Sequence, residues 1–180
     1  MMRTIKRMVL WASMATTLAG CGGMALQDFA ASEPDMRIEE YFAGRTKGWG
    51  LFEDRFGNVR RQFVVDLVGR WDGRELVLEE DFLYDDGERD RRVWRIVKLA
   101  DGTYEGRADD VIGVARGAAS GRAFNWRYTV DLKTDDGPVR VQFDDWLFRQ
   151  DAEAVLNKAE VTKYGLQIGQ VFLFFRKLPN

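Results

Sequence analysis

Four Asp-Gly dipeptides punctuate the chain, at Asp72-Gly73, Asp86-Gly87, Asp101-Gly102 and Asp136-Gly137. Nothing else in the sequence constrains the fold as strongly. Asp and Gly tolerate the positive φ that a tight hairpin turn demands. Each pair is flanked by runs rich in β-branched and aromatic residues, so each reads as a β-hairpin. The first three lie 14 and 15 residues apart, which fits strands of about ten residues joined by short turns. Two further breaks, near Asp109-Asp110 and at Ser120-Gly121, divide the segment before the fourth.

Ten candidate strands follow: 44–53, 58–70, 74–84, 88–99, 103–108, 111–118, 122–133, 138–149, 155–164 and 169–177. Alternation supports them. In the second, Val59, Phe63, Val65, Leu67 and Trp71 share one face, and Arg60, Gln62, Asp66 and Arg70 take the other. One short helix is expected, from Asp35 to Phe42, closing one end. Pro34, Pro138 and Pro179 sit at strand or domain edges, where a missing N–H does no harm. Strands linked only by hairpins, with no long crossover, point to an all-β, ten-stranded antiparallel up-and-down barrel, which has no exposed edge. A sandwich is the competitor, but it needs Greek-key connections that the spacing does not provide.

Parity then places polar groups inside. In strand 74–84 the even positions are Leu76, Leu78, Glu80, Phe82 and Tyr84, so Glu80 faces the interior. A three-residue turn at Asp85-Asp86-Gly87, with left-handed Gly, pairs Glu80 with Arg92, Leu78 with Trp94 and Leu76 with Ile96. A two-residue turn would set Glu80 against Val93. The first alignment is preferred, because it matches apolar with apolar and charge with charge. In strand 122–133, Phe124, Trp126, Tyr128, Val130 and Leu132 share a face. A two-residue turn at Asp136-Gly137 puts Tyr128 opposite Asp145 and Val130 opposite Phe143, and sends Asp144 outside near Arg127. Breaking a buried ion pair costs about 3–5 kcal/mol. Glu80–Arg92 and Tyr128–Asp145 are therefore either satisfied core pairs or the polar end of a wet cavity. In the second case Glu80, Arg92, Trp94, Trp126, Tyr128 and Asp145 form a ligand site, with Arg92 holding a carboxylate or phosphate guest bidentately. Trp49, Trp71, Trp94 and Trp126 can line such a cavity or fill it.

The first residues read as an address. Arg3, Lys6 and Arg7 precede a short apolar run, Met8 to Leu18, and then come Leu18-Ala19-Gly20-Cys21. This is the layout of a secretory signal. The run falls short of the roughly 20 apolar residues that a membrane-spanning helix needs, and Gly20, Gly22 and Gly23 end it. Leu-Ala-Gly-Cys resembles the lipobox of bacterial lipoproteins. The resemblance implies acylation of Cys21 and removal of residues 1–20. With Gly22 next in line, it also implies anchoring at the periplasmic face of the outer membrane. Residues 21–36 are then an acylated tether, and 37–180 the barrel domain. Processing takes the side-chain charge from −2 to −5, because Arg3, Lys6 and Arg7 leave and no acid does.

That charge excludes a general nucleic-acid binder working by phosphate neutralisation. The chain has no histidine and a single cysteine, and all its methionines lie at or before Met36. The barrel thus lacks the usual ligands of haem, copper, zinc and iron–sulfur centres. It also lacks the base of a Ser-His or Cys-His nucleophile. No cofactor, no metal and no enzymatic role are expected. The adjacent pairs Asp109-Asp110 and Asp144-Asp145 point to opposite faces of any regular strand and cannot converge on one ion.

The chain resembles the bacterial lipoproteins grouped as domain-of-unknown-function family 3833. Phe42-x-Gly44, Gly48-Trp49-Gly50, Asp54-Arg55-Phe56-Gly57, Glu80-Asp81-Phe82 and Asp86-Gly87-Glu88 carry the likeness. Arg92-x-Trp94-x-Ile96, Tyr104-x-Gly106, Asp110-Val111-Ile112-Gly113 and Trp126-x-Tyr128 extend it. It closes with Asp144-Asp145-Trp146, Asn157 and Lys163-Tyr164-Gly165. No activity comes with the family, so no catalytic residue is carried over. Its genes tend to lie near fatty-acyl-modifying enzymes, so the resemblance implies an apolar, fatty-acyl type of ligand. Gly48-Trp49 is faintly similar to the lipocalin opening Gly-x-Trp, and the expected barrel is lipocalin- or calycin-like.

Three functions compete. A lipid-binding or lipid-carrying lipoprotein requires a cavity of about 300–1,000 Å³. A structural or interaction lipoprotein requires a packed barrel with an exposed apolar patch. An enzyme acting on lipid through Glu80, Asp145 or Lys163 requires perturbed carboxyl or amine groups converging in one pocket. Interior volume separates the second from the other two.

Overall fold

The computed structural model describes residues 23–132 and 137–179. The expected signal segment, Cys21 and Asp136 lie outside the described residues. A short 3-10 turn, Leu26–Phe29, and the one-turn helix α1, Ile38–Tyr41, precede ten strands. These are β1 Gly44–Asp54, β2 Val59–Trp71, β3 Glu75–Tyr84, β4 Arg89–Lys98 and β5 Tyr104–Arg107. They continue as β6 Ala115–Ser120, β7 Ala123–Leu132, β8 Val139–Arg149, β9 Ala154–Lys163 and β10 Leu166–Lys177. Each pairs antiparallel with its sequence neighbours, and β1 pairs with β10, so the sheet closes into a barrel. All of these pairings, and the buried core cluster they enclose, lie within residues 23–179.

The turn chemistry works as expected at β3–β4. Tyr84 and Glu88 close a loop in which Gly87 takes φ 88°, and Glu80 pairs with Arg92, Leu78 with Trp94 and Leu76 with Ile96. The β7–β8 register differs from expectation by two residues. Tyr128 lies opposite Phe143, Val130 opposite Val141, and Trp126 opposite Asp145. This register sets Phe124 against Leu147, Val130 against Val141 and Leu132 against Val139, and the rings of Tyr128 and Phe143 stack at 5.0 Å. Asp144 stands outside, paired with Arg127 at 2.9 Å, as parity required.

One end of the barrel is closed. Met36, Ile38, Tyr41 and Phe42 are buried against Leu76, Ile96, Tyr104 and Phe124. Glu39 reaches inward from α1 to Lys98 Nζ at 2.5 Å and accepts from the Tyr104 hydroxyl at 2.8 Å. The segment expected to be a free tether is seated on the barrel from Leu26 onward. Phe29 packs on Trp146 and Phe148, and the Met36 N–H donates to Gly121 O at 2.7 Å.

The outer wall is laced with ion pairs, among them Arg70–Glu79, Arg91–Glu79 and Arg140–Asp131, where a membrane-spanning barrel carries an apolar band. One cross-strand row is apolar: Leu156, Phe174, Trp49, Val64 and Leu83. Trp49 therefore points outward, stacked on Phe174, and does not line the interior. Gly48 and Gly50 take the inward positions. A Cβ on Gly50 would stand 2.1 Å from Leu173 and 2.6 Å from Phe63, so these side chains occupy the space that a residue there would need.

Candidate functional site

The barrel is not packed solid. A cavity of about 1300 Å³ runs from the α1 plug to the opposite end. It is larger than the volume the carrier reading requires. The open end is framed by the β1–β2, β3–β4 and β9–β10 hairpins, the β5–β6 loop and the start of β8. Its two sides differ in chemistry. Phe52, Phe63, Val171 and Leu173, from β1, β2 and β10, make an apolar wall. Glu80, Arg92, Tyr128, Asp145 and Asn157, from β3, β4, β7, β8 and β9, bring polar groups to the other.

Aromatic rings buttress the polar side. Trp94 meets Trp126 edge-on at 5.7 Å and Tyr128 at 5.3 Å. Trp126 can lie flat against β5 and β6 because Gly106 and Gly117 face it. A Cβ at Gly117 would come within 2.3 Å of the indole. Trp71 packs at the closed end against the core and does not line the cavity.

The guanidinium of Arg92 forms a fork-to-fork pair with the carboxylate of Asp110, which arrives from the β5–β6 loop. Nε lies 3.0 Å and Nη2 2.5 Å from Oδ2. The fork expected to be free for an anionic guest is thus already occupied. Asp110 is the residue that sequence reasoning missed. Adjacent to Asp109, it is passed over because neighbouring acids point to opposite faces and cannot converge on one ion, but that same adjacency lets one carboxylate point out while the other points in. Glu80 stands opposite Arg92 in register and feels its charge without taking the fork. Arg92 stays protonated: burial opposes its charge, but Glu80, Tyr128 and Asp110 raise its pKa above the ordinary value.

Asp145 heads the second polar group. It accepts from the Tyr128 hydroxyl at 3.1 Å and from the amide of Asn157, which also donates to Trp146 O at 2.9 Å. The expected Tyr128–Asp145 contact is therefore real, but diagonal rather than directly cross-strand. Asn157 is the second missed member, and inward parity on β9 was the signal for it.

Burial decides the protonation of both acids. It pushes the Glu80 carboxyl up to about 7. Arg92 pulls the other way, and the nearby acids Asp145 and Asp110 add to the rise. Burial likewise pushes Asp145 up to about 6, against the hydrogen bonds from Asn157 and Tyr128. Tyr128 is held well above its ordinary value by burial and by the charge of Asp145. All four groups keep accessible surface while enclosed by protein, as side chains facing a cavity do. Among the described residues the lining holds seven carboxyl groups against four guanidiniums. The site therefore suits a guest with hydrogen-bond donors or positive charge better than an anion. Lys163 does not reach it. It lies at the β9–β10 tip with its ammonium 5.5 Å from the Tyr164 ring.

A family described as "Protein of unknown function (DUF3833)" matches residues 15–177, and the chain belongs to it. Among curated proteins none matches. Among solved structures the chain is similar to the S-type phycobiliprotein lyase CPES from Guillardia theta. The TM-score is 0.59 at 9% identity, over 81% of this chain and 94% of that one. A de novo designed fluorescence-activating β-barrel matches at TM-score 0.42 and 12% identity, over 79% of this chain and 99% of that one. At such identity the lyase likeness speaks for the fold alone, a closed antiparallel barrel.

Proposed function

We propose that this member of the DUF3833 family is a lipid-anchored cell-envelope protein whose barrel binds and carries an apolar ligand. The ligand is of acyl-chain type, with a polar end that is neutral or donor-rich. The observation that carries the reading is the cavity of about 1300 Å³, apolar on one wall and polar on the other. A packed structural barrel would have no such void. The notion of an anionic head group held by Arg92 gives way, because Asp110 takes the fork. A hydroxyl, amide or amine finds acceptors at Glu80 and Asp145 instead. The lyase neighbour's name is compatible with a barrel that accepts a small molecule. Leu18-Ala19-Gly20-Cys21 supports anchoring, and Gly22 after it favours the periplasmic face of the outer membrane as the proposed location.

The test is a titration with a pyrene-labelled fatty alcohol, read by energy transfer from tryptophan. Organic extraction and mass spectrometry of the purified protein accompany it. The chain should bind the probe. Ala159→Phe, which grows a ring into the cavity from a position opposite Asp145, should abolish binding in a folded barrel. No uptake of the probe and no co-purifying apolar molecule would overturn the reading.

A second reading, chemistry on the bound ligand, is favoured by one observation: two carboxyls with raised pKa values face the same cavity. Under this reading the parent converts a bound ligand and Glu80→Gln or Asp145→Asn abolishes the conversion; under simple carriage parent and variants alike return the ligand unchanged.

A further inference from the structure

The cavity accounts for the interior of the open end and leaves its rim unexplained. Five large apolar side chains stand in solvent there. Phe56 and Val59, on the β1–β2 hairpin, are 74% and 51% exposed; Tyr164 and Leu166, on β9–β10, are 94% and 66% exposed. Ile112, on the β5–β6 loop, is 43% exposed. The first two tips are neighbours, because β1 pairs with β10 and the Arg55 N–H donates to Ile168 O at 3.0 Å.

Both tips hold their rings out by construction. The Asp54 carboxylate accepts from the N–H groups of Phe56 at 2.9 Å and Asn58 at 3.1 Å, so the turn is rigid and its ring faces water. Tyr164 takes φ 53°, the left-handed region that hairpin turns normally fill with Gly, Asn or Asp. A tyrosine there is disfavoured, and its ring, almost wholly in solvent, gains nothing from the barrel in return. Each ring has a cation beside it: Arg55 lies 4.8 Å from the Phe56 ring, and Lys163 lies near Tyr164. The rim acids Asp86, Glu88, Asp90, Asp109 and Asp131 belong to the β3–β8 side, and on the apolar side the Asp54 carboxylate is paired with Arg60.

We propose that the apolar, basic side of the mouth is a lipid-docking edge. Phe56, Val59, Tyr164 and Leu166 enter the interfacial layer of an anionic bilayer. Arg55 and Lys163 sit at phosphate level, and the acidic side of the rim stays in water. Amphipathic and aromatic side chains favour this depth, and basic residues add attraction to anionic lipid. Isolated side chains on convex tips suit a yielding lipid interface. A folded protein partner would need a continuous patch of several hundred Å². The arm that leads back to Cys21 runs past the β6–β7 turn at the closed end, so the edge points away from it. The inference names the source from which the proposed carrier takes its ligand. It rests on that reading for its purpose but not for its geometry.

The experiment uses the chain from Gly23, which contains every strand pairing of the barrel, in flotation with vesicles of equal parts phosphatidylcholine and phosphatidylglycerol. The parent should float. Phe56→Ser, and separately Tyr164→Asn with Leu166→Thr, should weaken association about tenfold for each side chain lost. Asn is at home at positive φ, so a thermal melt should show the second variant folded as well as the parent. Phe174→Thr on the outer wall should float like the parent, and Lys163→Gln should lose affinity for phosphatidylglycerol vesicles. A parent that stays at the bottom, tip variants that float undiminished, or an equal loss in Phe174→Thr would overturn the docking edge. Uptake of the pyrene alcohol, measured without vesicles, separates the two readings. A parent that takes the probe but does not float sinks the edge alone, and one that floats but takes no probe sinks the carrier alone.

Discussion

Glu80→Gln should change how the stability of the barrel depends on pH. Below the ordinary carboxyl value of 4.5, Glu80 is protonated in both the folded and unfolded chain. Between 4.5 and about 7 the unfolded chain releases the proton while burial makes the folded barrel keep it. The unfolded state then binds fewer protons, so each step up in pH favours unfolding. Above about 7 both forms are ionised, and the whole difference stands against the fold. A rise from 4.5 to about 7, at about 1.4 kcal/mol per unit, amounts to roughly 3 kcal/mol. The carboxylates whose pKa values are lowered, Asp54, Asp72, Asp86, Asp101 and Asp151 among them, act outside this window. Their stabilisation is lost only as pH falls below their ordinary range. Urea unfolding of the chain from Gly23, followed by tryptophan fluorescence from pH 4 to pH 8, reads the difference. Parent and variant should be nearly equal at the acid end, where Gln mimics the protonated acid. At the alkaline end the variant should be more stable by about 2–3 kcal/mol, the lower figure allowing for water in the cavity. Parallel curves over the whole range would refute the reasoning, since they would mean that Glu80 titrates alike in both states.

Two further outcomes follow from the site and the N-terminus. Asp110→Asn should free the Arg92 fork and raise affinity for a pyrene fatty acid relative to the alcohol by about tenfold, while stability falls by about 1–3 kcal/mol; an unchanged ratio would show that Asp110 is not what blocks the fork. Cys21→Ser in the full chain should abolish acylation and signal removal, and detergent partitioning with mass measurement reads both. Normal processing and recovery of the variant in the detergent phase would end the lipoprotein reading.

Much of the barrel was legible because hairpins are local. Asp85-Asp86-Gly87 set its own turn, and period-two alternation carried that register down to Glu80 and Arg92. Where the turn residues were less decisive, at Pro138 and the residues before it, the register was misread. Apolar matching across the hairpin outweighed the dipeptide signal. Trp49 shows another limit. A large apolar residue is drawn inward on average, but on β1 the interior is filled by Phe63, Leu173 and Phe175 from neighbouring strands, so glycines face in and the tryptophan faces out.

By itself, then, the sequence determined the number of strands and the inward parity of Glu80, Arg92, Tyr128 and Asp145, since each depends on residues close together in the chain. Only the tertiary structure decided that the barrel encloses a void, that Asp110 crosses from a loop to take the Arg92 fork, and that apolar side chains crowd one side of the mouth. The void and the apolar side of the mouth depend on closure between β1 and β10, strands at opposite ends of the sequence, and the Arg92–Asp110 pair on the path of the β5–β6 loop. The volume inside a closed sheet, and the loops that meet across its mouth, are properties of the whole circuit that no local pattern contains.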